Sequence, residues 1–281
     1  MAAALKTAAY LGAVLLVGAG VFRFVIGPEL EPSMRRTLRA GAVLGTILIA
    51  LASLTDVGWT VFRLVARFDP GLTGEYLLAT GHGQATLVRL ALTPPLFAFA
   101  LNRNTPASKI FFAVTGLGVL VTFSWLSHAA AEHGAVALLA DLGHFAVAAL
   151  WGGAVLYTAL SPAWHDPAGR EGLIRAVRRV SRVGLASVLV LTATGVYAGV
   201  LHLDAPSMLG TTPYGRTLGL KLVIVAAVLG LAAFNRWVFL PRLIRRGATK
   251  AFGQVMELEA FLLVVVFATT GILTTSPLPH G

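Results

Sequence analysis

The residues best suited to chemistry cluster in one otherwise apolar stretch, 123-FSWLSHAAAEHGAVALLADLGHFAVAALWGG-153. It contains three histidines, His128, His133 and His144, together with Glu132 and Asp141. Imidazole and carboxylate groups can ligate copper, zinc, nickel or iron, and they can also relay protons. Asp141 precedes His144 by three residues, so a helix places both on one face, where the carboxylate can orient the imidazole. The stretch predicts a metal site or a proton path, and a purely structural His144–Asp141 pair that locks two helices together is the alternative.

Membrane-spanning helices must position these groups. Of the 281 residues, 57% are hydrophobic and 12% are charged, with a mean hydropathy of +0.80, whereas a soluble globular protein has about 25% charged residues. A spanning helix needs about 20 mostly apolar residues. The sequence therefore predicts an all-α polytopic bundle of about eight transmembrane helices in a single domain, residues 1–281. The predicted spans are 5–26, 40–66, 83–101, 109–130, 135–160, 183–203, 216–240 and 255–275.

The distribution of basic residues predicts the orientation of this bundle. Most of the 22 lysines and arginines fall in loops on one side of eight alternating helices. Positively charged loops stay in the cytoplasm, so both termini are predicted to lie outside. The net charge of +10 then reflects topology and a weak attraction to anionic membrane lipid. It does not indicate a nucleic-acid partner.

This orientation places all the histidines except His165 at or just below the external face. We predict a metal site formed by His128, His133, His82 and His202, with His144 about 14 Å below the entrance at 1.5 Å per residue. Four further residues are predicted to flank the metal or its path. They are Asp141, Glu132, Lys221 and Glu259, the last near the cytoplasmic exit.

Other ionisable residues also fall inside predicted helices, where charges are costly and usually line a polar interior. Arg63 and Arg89 are expected to extend towards the lipid headgroups. Asp56 and Lys221 lie deeper and are expected to pair with each other or with Asp141.

Two absences from the sequence exclude classes of chemistry. There is no cysteine, which excludes disulfides and thiolate metal sites. There is no G-x-x-x-x-G-K-[ST] phosphate loop, so any transport is expected to use an ion gradient or the membrane potential.

The run 125-WLSHAAAEHGAVALLADLGHFAVAALWGGA-154 resembles the copper-resistance D (CopD) family of membrane proteins. Further similarities lie in 180-VSRVGLASVLVLTATGVYAG-199, 212-TPYGRTLGLKLVIVAAVLGLAAFNR-236 and 257-ELEAFLLVVVFATTGILTTSPLP-279, so the resemblance extends over roughly residues 115–279. One departure is Ser127, which stands where the family has a glycine before the histidine.

The resemblance implies copper handling at the plasma (inner) membrane by a multi-pass protein that is not an enzyme. The leading hypothesis is a copper permease, in which the external histidines feed a polar path past His144, Asp141 and Lys221. A separate periplasmic or extracellular carrier protein would deliver the copper ion.

Two other functions remain open at this point. His144 could pair with His82 or His202 to hold haem b through two imidazoles and move electrons, which a Soret band that shifts on reduction would reveal. The chain could also be a structural subunit or metal sensor, which a liposome flux measurement separates from a permease.

Overall fold

The computed structural model describes the backbone of residues 1–27, 32–125, 128–165, 169–203, 207–246 and 249–277. Within these ranges, the side chains of residues 32, 128–133, 246 and 249 are outside the description. The described residues contain no strand. The helices are α1 (Ala2–Val21), α2 (Pro32–Val65), α3 (Pro70–Ala79), α4 (Gly81–Leu101), α5 (Pro106–Ser124), α6 (His128–Ala159), α7 (Arg170–His202), α8 (Met208–Thr211), α9 (Pro213–Phe234), α10 (Leu240–Arg246) and α11 (Thr249–Leu273).

Eight helical segments of the described chain are long and apolar enough to cross a membrane, which confirms the predicted all-α bundle. They are Ala2–Ile26, Ser33–Val65, Gly81–Leu101, Pro106–Ser124, Gly134–Ala159, Arg170–His202, Pro213–Arg245 and Lys250–Leu273. Two of them contain a π-helical turn, Phe22–Ile26 after α1 and Asn235–Phe239 after α9.

Several helix boundaries differ from the predicted spans, and the largest difference is at the sixth. The predicted start of the sixth span at residue 183 is wrong, because α7 begins at Arg170 and its first turns carry the arginines that were assigned to a loop. Arginine is a good helix former, so the helix continues past the apolar stretch. Residues 128–133 are also helical, and Gly134 at φ +73°, a conformation that favours glycine, separates them from the rest of α6.

Helix α1 lies at the centre of the bundle, and 72% of its apolar window is buried. Glycine pairs bring it close to its neighbours. A Cβ added to Gly12 would lie 2.8 Å from the carbonyl oxygen of Gly45 on α2, and one added to Gly18 would lie 2.6 Å from the Cα of Gly153 on α6. Small residues at such crossings let membrane helices pack by close backbone contact.

The two ends of the bundle differ in their chemistry. We name the end that holds Ala2, Val65, Gly81, His202 and Leu273 the histidine end, and the end that holds Ile26, Leu101, Ala159, Arg170 and Arg245 the arginine end. At each end of the bundle, a hydrogen bond joins two neighbouring helical segments. The Thr7 hydroxyl donates to the Ala268 carbonyl at the first (3.5 Å), and the Arg179 guanidinium donates to the Ile26 carbonyl at the second (2.8 Å).

Candidate functional site

His144 lies half-buried on α6 with one ring nitrogen held by the neighbouring helix α7. Its Nδ1 is 2.8 Å from the Thr194 hydroxyl oxygen. The same hydroxyl is 2.7 Å from the Val190 carbonyl, and in the tautomer in which it donates there, it accepts from the N–H at Nδ1 of the imidazole. The other nitrogen, Nε2, then presents a lone pair, the form in which imidazole binds a metal.

Ionisable groups of three helices lie within electrostatic range of one another in this region. Lys221 on α9 lies within electrostatic range of both His144 and Asp141. Tyr10 on α1 lies within range of Asp141. The structure thus brings together His144, Asp141 and Lys221, which the sequence named as parts of one path, although their role in transport stays a prediction.

His82 forms a second polar group, at the N-terminus of α4. Its Nε2 lies 3.2 Å from Asp56 Oδ2 on α2, and its Nδ1 lies 2.9 Å from the Tyr76 hydroxyl on α3. The Asp56 carboxylate can only accept, so Nε2 donates to it, and Nδ1 of the neutral ring accepts from the Tyr76 hydroxyl. Both ring nitrogens are engaged, and His82 must release one partner before it can bind a metal or a haem iron.

The expected partners of Asp56 were therefore wrong. Asp56 pairs with His82 rather than with Lys221 or Asp141, and Lys6 and Arg89 are the cations within its electrostatic range. The reason is adjacency, because α2 packs beside α4 and α1, and α9 packs elsewhere in the bundle.

Arg89 also differs from its prediction, since it does not extend to the headgroups. Only 6% of it is exposed. The guanidinium donates to the hydroxyl and the carbonyl of Thr122, each at 2.9 Å, and to the Ser53 hydroxyl at 3.2 Å, and it lies 3.9 Å from the centroid of the Phe123 ring. Polar groups of α2 and α5 thus hold the charge inside the bundle, whereas Arg63 is exposed as expected.

His202 ends α7 in an arrangement that resembles that of His144. Its Nδ1 donates to the Ala198 carbonyl of the same helix at 2.7 Å, which leaves Nε2 with a lone pair. Thr194 precedes His202 by eight residues, or about 12 Å along a helix axis at 1.5 Å per residue. Two imidazoles with an available Nε2 are therefore positioned by α7, one at the histidine end and one deeper in the bundle.

Three of the predicted outer groups fall in the segment before Gly134. The side chains of His128, Glu132 and His133 lie outside the described part of the structure, although the backbone around them is helical. Among the described residues, no three histidine, aspartate or glutamate side chains are grouped so that they could hold a metal ion. The external site built on His128 and His133 stays a prediction.

The arginine end holds polar groups that the sequence revealed only in part. Glu259 was predicted near the exit, and it is 4% exposed and accepts a hydrogen bond of 2.5 Å from the Asn235 amide. Sequence reasoning missed Asn235 and Met256. Met256 precedes Glu259 by three residues and so shares its helix face, which was a usable signal. Asn235 lies on another helix and gave none.

Two family models match this sequence. Residues 174–273 match the model described as Copper resistance protein D, and residues 1–139 match the model described as Copper resistance protein D-like, N-terminal domain. The chain belongs to the copper resistance protein D family. The match to the N-terminal model includes the first four spans, most of which lie before the region of motif resemblance, roughly residues 115–279.

Relatives of the chain are named for copper or for the membrane. It is 28% identical over 227 residues to the copper transport protein CutJ of Bacillus subtilis (strain 168), a match that covers 76% of this chain and 40% of CutJ. It is 27% identical over 237 residues to the inner membrane protein YebZ of Escherichia coli (strain K12), covering 82% of this chain and 78% of YebZ. It is 27% identical over 268 residues to the copper resistance protein D of Pseudomonas syringae pv. tomato, covering 86% and 83% of the two chains.

No solved structure matches the chain. The chain spans less than half the length of CutJ, of which the match covers 40%. The eight apolar helices and the likeness to an inner membrane protein make this copper resistance protein D family member a multi-pass protein of the plasma (inner) membrane.

Proposed function

We propose that this protein is a copper permease of the plasma membrane, which admits copper at the histidine end and passes it towards the arginine end. The observation that carries the proposal is His144, a half-buried imidazole inside an apolar bundle whose Nε2 is left available by the hydrogen bond from Nδ1 to Thr194. Ionisable groups inside a membrane usually mark a substrate or proton path. The family and the copper transport protein among its relatives support copper as the cargo.

The chemistry of the path is a series of ligand exchanges. His128, His133 and His202 capture the ion, and His144 receives it on Nε2. An imidazole suits copper in this role, and a ring whose other nitrogen is fixed by a hydrogen bond binds a metal without first having to reorient.

Lys221 and Asp141 keep this path electrically neutral when it is empty. Lys221 lies within electrostatic range of Asp141, and an uncompensated charge in a low-dielectric interior is costly. An arriving copper ion takes over the compensation of Asp141, and Lys221 then moves away from the ion by charge repulsion. The Lys221–Asp141 pair therefore opposes the entry of a cation unless an oxygen or nitrogen ligand of the path binds it.

The membrane potential supplies the driving force. With the histidine end outside, as the positively charged loops predict, an inside-negative potential lowers the energy of each entering charge by about 2.3 kcal/mol per 100 mV. A copper carrier protein outside the membrane delivers the ion to the histidine end. Anionic lipids contact the basic arginine end.

Reconstitution tests the proposal. The purified chain is placed in liposomes with a copper chelator inside, and copper entry is followed with and without an inside-negative potential. We expect entry well above that of protein-free liposomes, faster with the potential, and slower for zinc and nickel. A protein that binds copper but leaves the flux at the protein-free rate is a sensor or a structural subunit, and the permease proposal would be wrong.

A further inference from the structure

A cleft lined by arginines opens at the arginine end of the bundle. It has a volume of about 460 Å³ and lies between α7 and the π-helical turn after α9. Arg178 and Arg182 are exposed on α7, four residues apart and so on one helix face. Arg236 reaches the cleft from the π-helical turn. The cleft is suited to an anion, because its arginines bring several positive charges together.

The charges of the cleft are not neutralised by carboxylates of the described chain. Arg236 donates from Nη1 to the carbonyl and hydroxyl oxygens of Ser181, at 3.2 Å and 2.7 Å, so two neutral acceptors fix its position. No carboxylate among the described residues forms an ion pair with Arg178, Arg182 or Arg236. A guanidinium has five N–H donors in a fork that matches a phosphate, so the arginines retain donors for such a group.

An apolar groove continues from the cleft into the bundle. The cleft and the groove share Ser181, Arg236 and Trp237 in their linings. The groove has a volume of about 200 Å³. Its two walls include Gly184, Leu185 and Val188 of α7 and Leu229, Ala232 and Ala233 of α9. From Ser181 to Val188 the α7 wall extends about 10 Å, at 1.5 Å per residue.

The groove is open on the side where α7 and α9 diverge. Helix α7 packs mainly on α6, and α9 packs mainly on α11, so α7 and α9 contact each other only over a short stretch. Leu185 and Trp237 belong to the lining and are 53% and 70% exposed. Both lie in segments of membrane-spanning length, so their exposed surface faces lipid, and a tryptophan near the end of a span is typical of the headgroup level.

Glu259 is the acidic residue in the lining of the groove, and it does not line the cleft. It is 4% exposed, and the Asn235 amide donates to its Oε2 at 2.5 Å. A charged group in the cleft therefore meets the arginines, whereas only the uncharged part of a bound molecule would pass Glu259.

We propose that the cleft and the groove together bind one anionic phospholipid. The phosphate accepts from Arg178, Arg182 and Arg236, and an acyl chain lies in the groove between α7 and α9. Basic pockets between transmembrane helices bind anionic lipid headgroups in this way. A soluble anion would use only the cleft and an uncharged lipid only the groove, so the two together favour a lipid that has both parts.

This inference goes beyond the proposed function, which includes only a general contact of anionic lipid with the arginine end. It assigns one defined site, and it holds whether or not the chain carries copper.

Native mass spectrometry of the purified full chain in a neutral detergent tests the site. The protein is titrated with phosphatidylglycerol, with phosphatidylcholine of the same acyl chains, and with glycerol phosphate, which has no acyl chain. We expect one phosphatidylglycerol to bind about tenfold or more tightly than phosphatidylcholine. Replacing Arg178 and Arg182 together by glutamine should remove this preference. The matched control replaces Arg242 and Arg245 together by glutamine, which removes two exposed arginines of the same end outside the cleft, and it should keep the preference.

A second variant tests the groove. The larger side chain of Ala232→Phe occupies the space of the acyl chain and should weaken phosphatidylglycerol binding several-fold. Ala227→Phe changes an exposed residue of the same helix and should bind as the unmodified protein does. Thermal unfolding identifies a variant that has lost its fold, and the arginine variants, which change exposed residues, then decide.

The outcomes separate this site from a basic surface and from a soluble anion. Equal retention of the two lipids, or equal effects of the two double arginine variants, would make the arginines a general basic surface, and the inferred site would be wrong. Binding of glycerol phosphate as tight as that of phosphatidylglycerol, with no effect of Ala232→Phe, would assign the cleft to a soluble anion and would also overturn the lipid site. The permease proposal is tested by copper flux, so either proposal can fail without the other.

Discussion

The hydrogen bond between His144 and Thr194 is the most direct link between the structure and the proposed copper path. Thr194→Val keeps the size and branching of the side chain but removes the acceptor of the 2.8 Å bond to Nδ1. A buried N–H left without an acceptor costs about 1–3 kcal/mol, which corresponds to about a 5- to 150-fold change in an equilibrium constant. That range agrees with the loss of about 10- to 100-fold typical when the partner of a ligating histidine is removed.

The assay is copper uptake per folded molecule at limiting copper, by cells or liposomes that contain each variant. We expect Thr194→Val to need about 10- to 100-fold more copper for the same rate. Thr194→Ser keeps the hydroxyl and should restore most of the activity. Thr192→Val changes an exposed residue two positions earlier on the same helix and serves as the matched control.

Equal uptake by the Thr194→Val and Thr192→Val proteins would refute the reasoning. The orientation of His144 would then have no effect on copper, and its contact with α7 would be a packing contact between two helices.

The orientation, the outer histidines and Arg89 can each be tested separately. A reporter fused after Gly281 should be active outside the cytoplasm, because the arginine-rich loops stay inside; activity of a cytoplasm-only reporter there would overturn the predicted topology. Replacing His128 and His133 together by alanine should weaken external copper binding, and unchanged affinity would reduce both to surface histidines. Arg89→Lys should lower the free energy of unfolding in detergent by about 1.5–3 kcal/mol for each charge-assisted hydrogen bond that is lost. The control is Arg63→Lys, which changes an exposed arginine.

The eight spans were predictable because hydropathy and helix length are local properties of the sequence. The error at the start of α7 has the same origin. An apolar window marks where a helix is in lipid, and Arg170–Arg182 continue the helix beyond that window.

The partners of the polar residues were not predictable, because they depend on which helices are neighbours. His82 and Asp56 are 26 positions apart in the numbering and meet only because α2 packs against α4. The position of Arg89 was wrong for the same reason, since the hydroxyls that hold it come from α2 and α5. His144 was recognisable as a candidate because a histidine and an aspartate three residues apart in an apolar helix form a local pattern, whereas Thr194 is an ordinary residue of α7.

The polar group formed by Glu259, Met256 and Asn235 near the arginine end shows both situations. The spacing of Met256 and Glu259 is visible in the sequence. The π-helical turn that begins at Asn235, and the unpartnered oxygen it buries, arise only from the folded backbone.

Replacement of His144 tests the central claim, that copper passes through the bundle by way of this imidazole. We predict that His144→Ala keeps external copper binding within a few fold but abolishes copper-dependent accumulation. Asp141→Asn should have a milder effect, because the imidazole remains while its carboxylate neighbour is weakened as a partner. If His144 only joins helices, both variants should instead express poorly and unfold at lower temperature, with uptake in proportion to the folded protein. The deciding measurement is uptake per folded molecule: the account predicts none for His144→Ala, and normal uptake by the well-folded variant would contradict it.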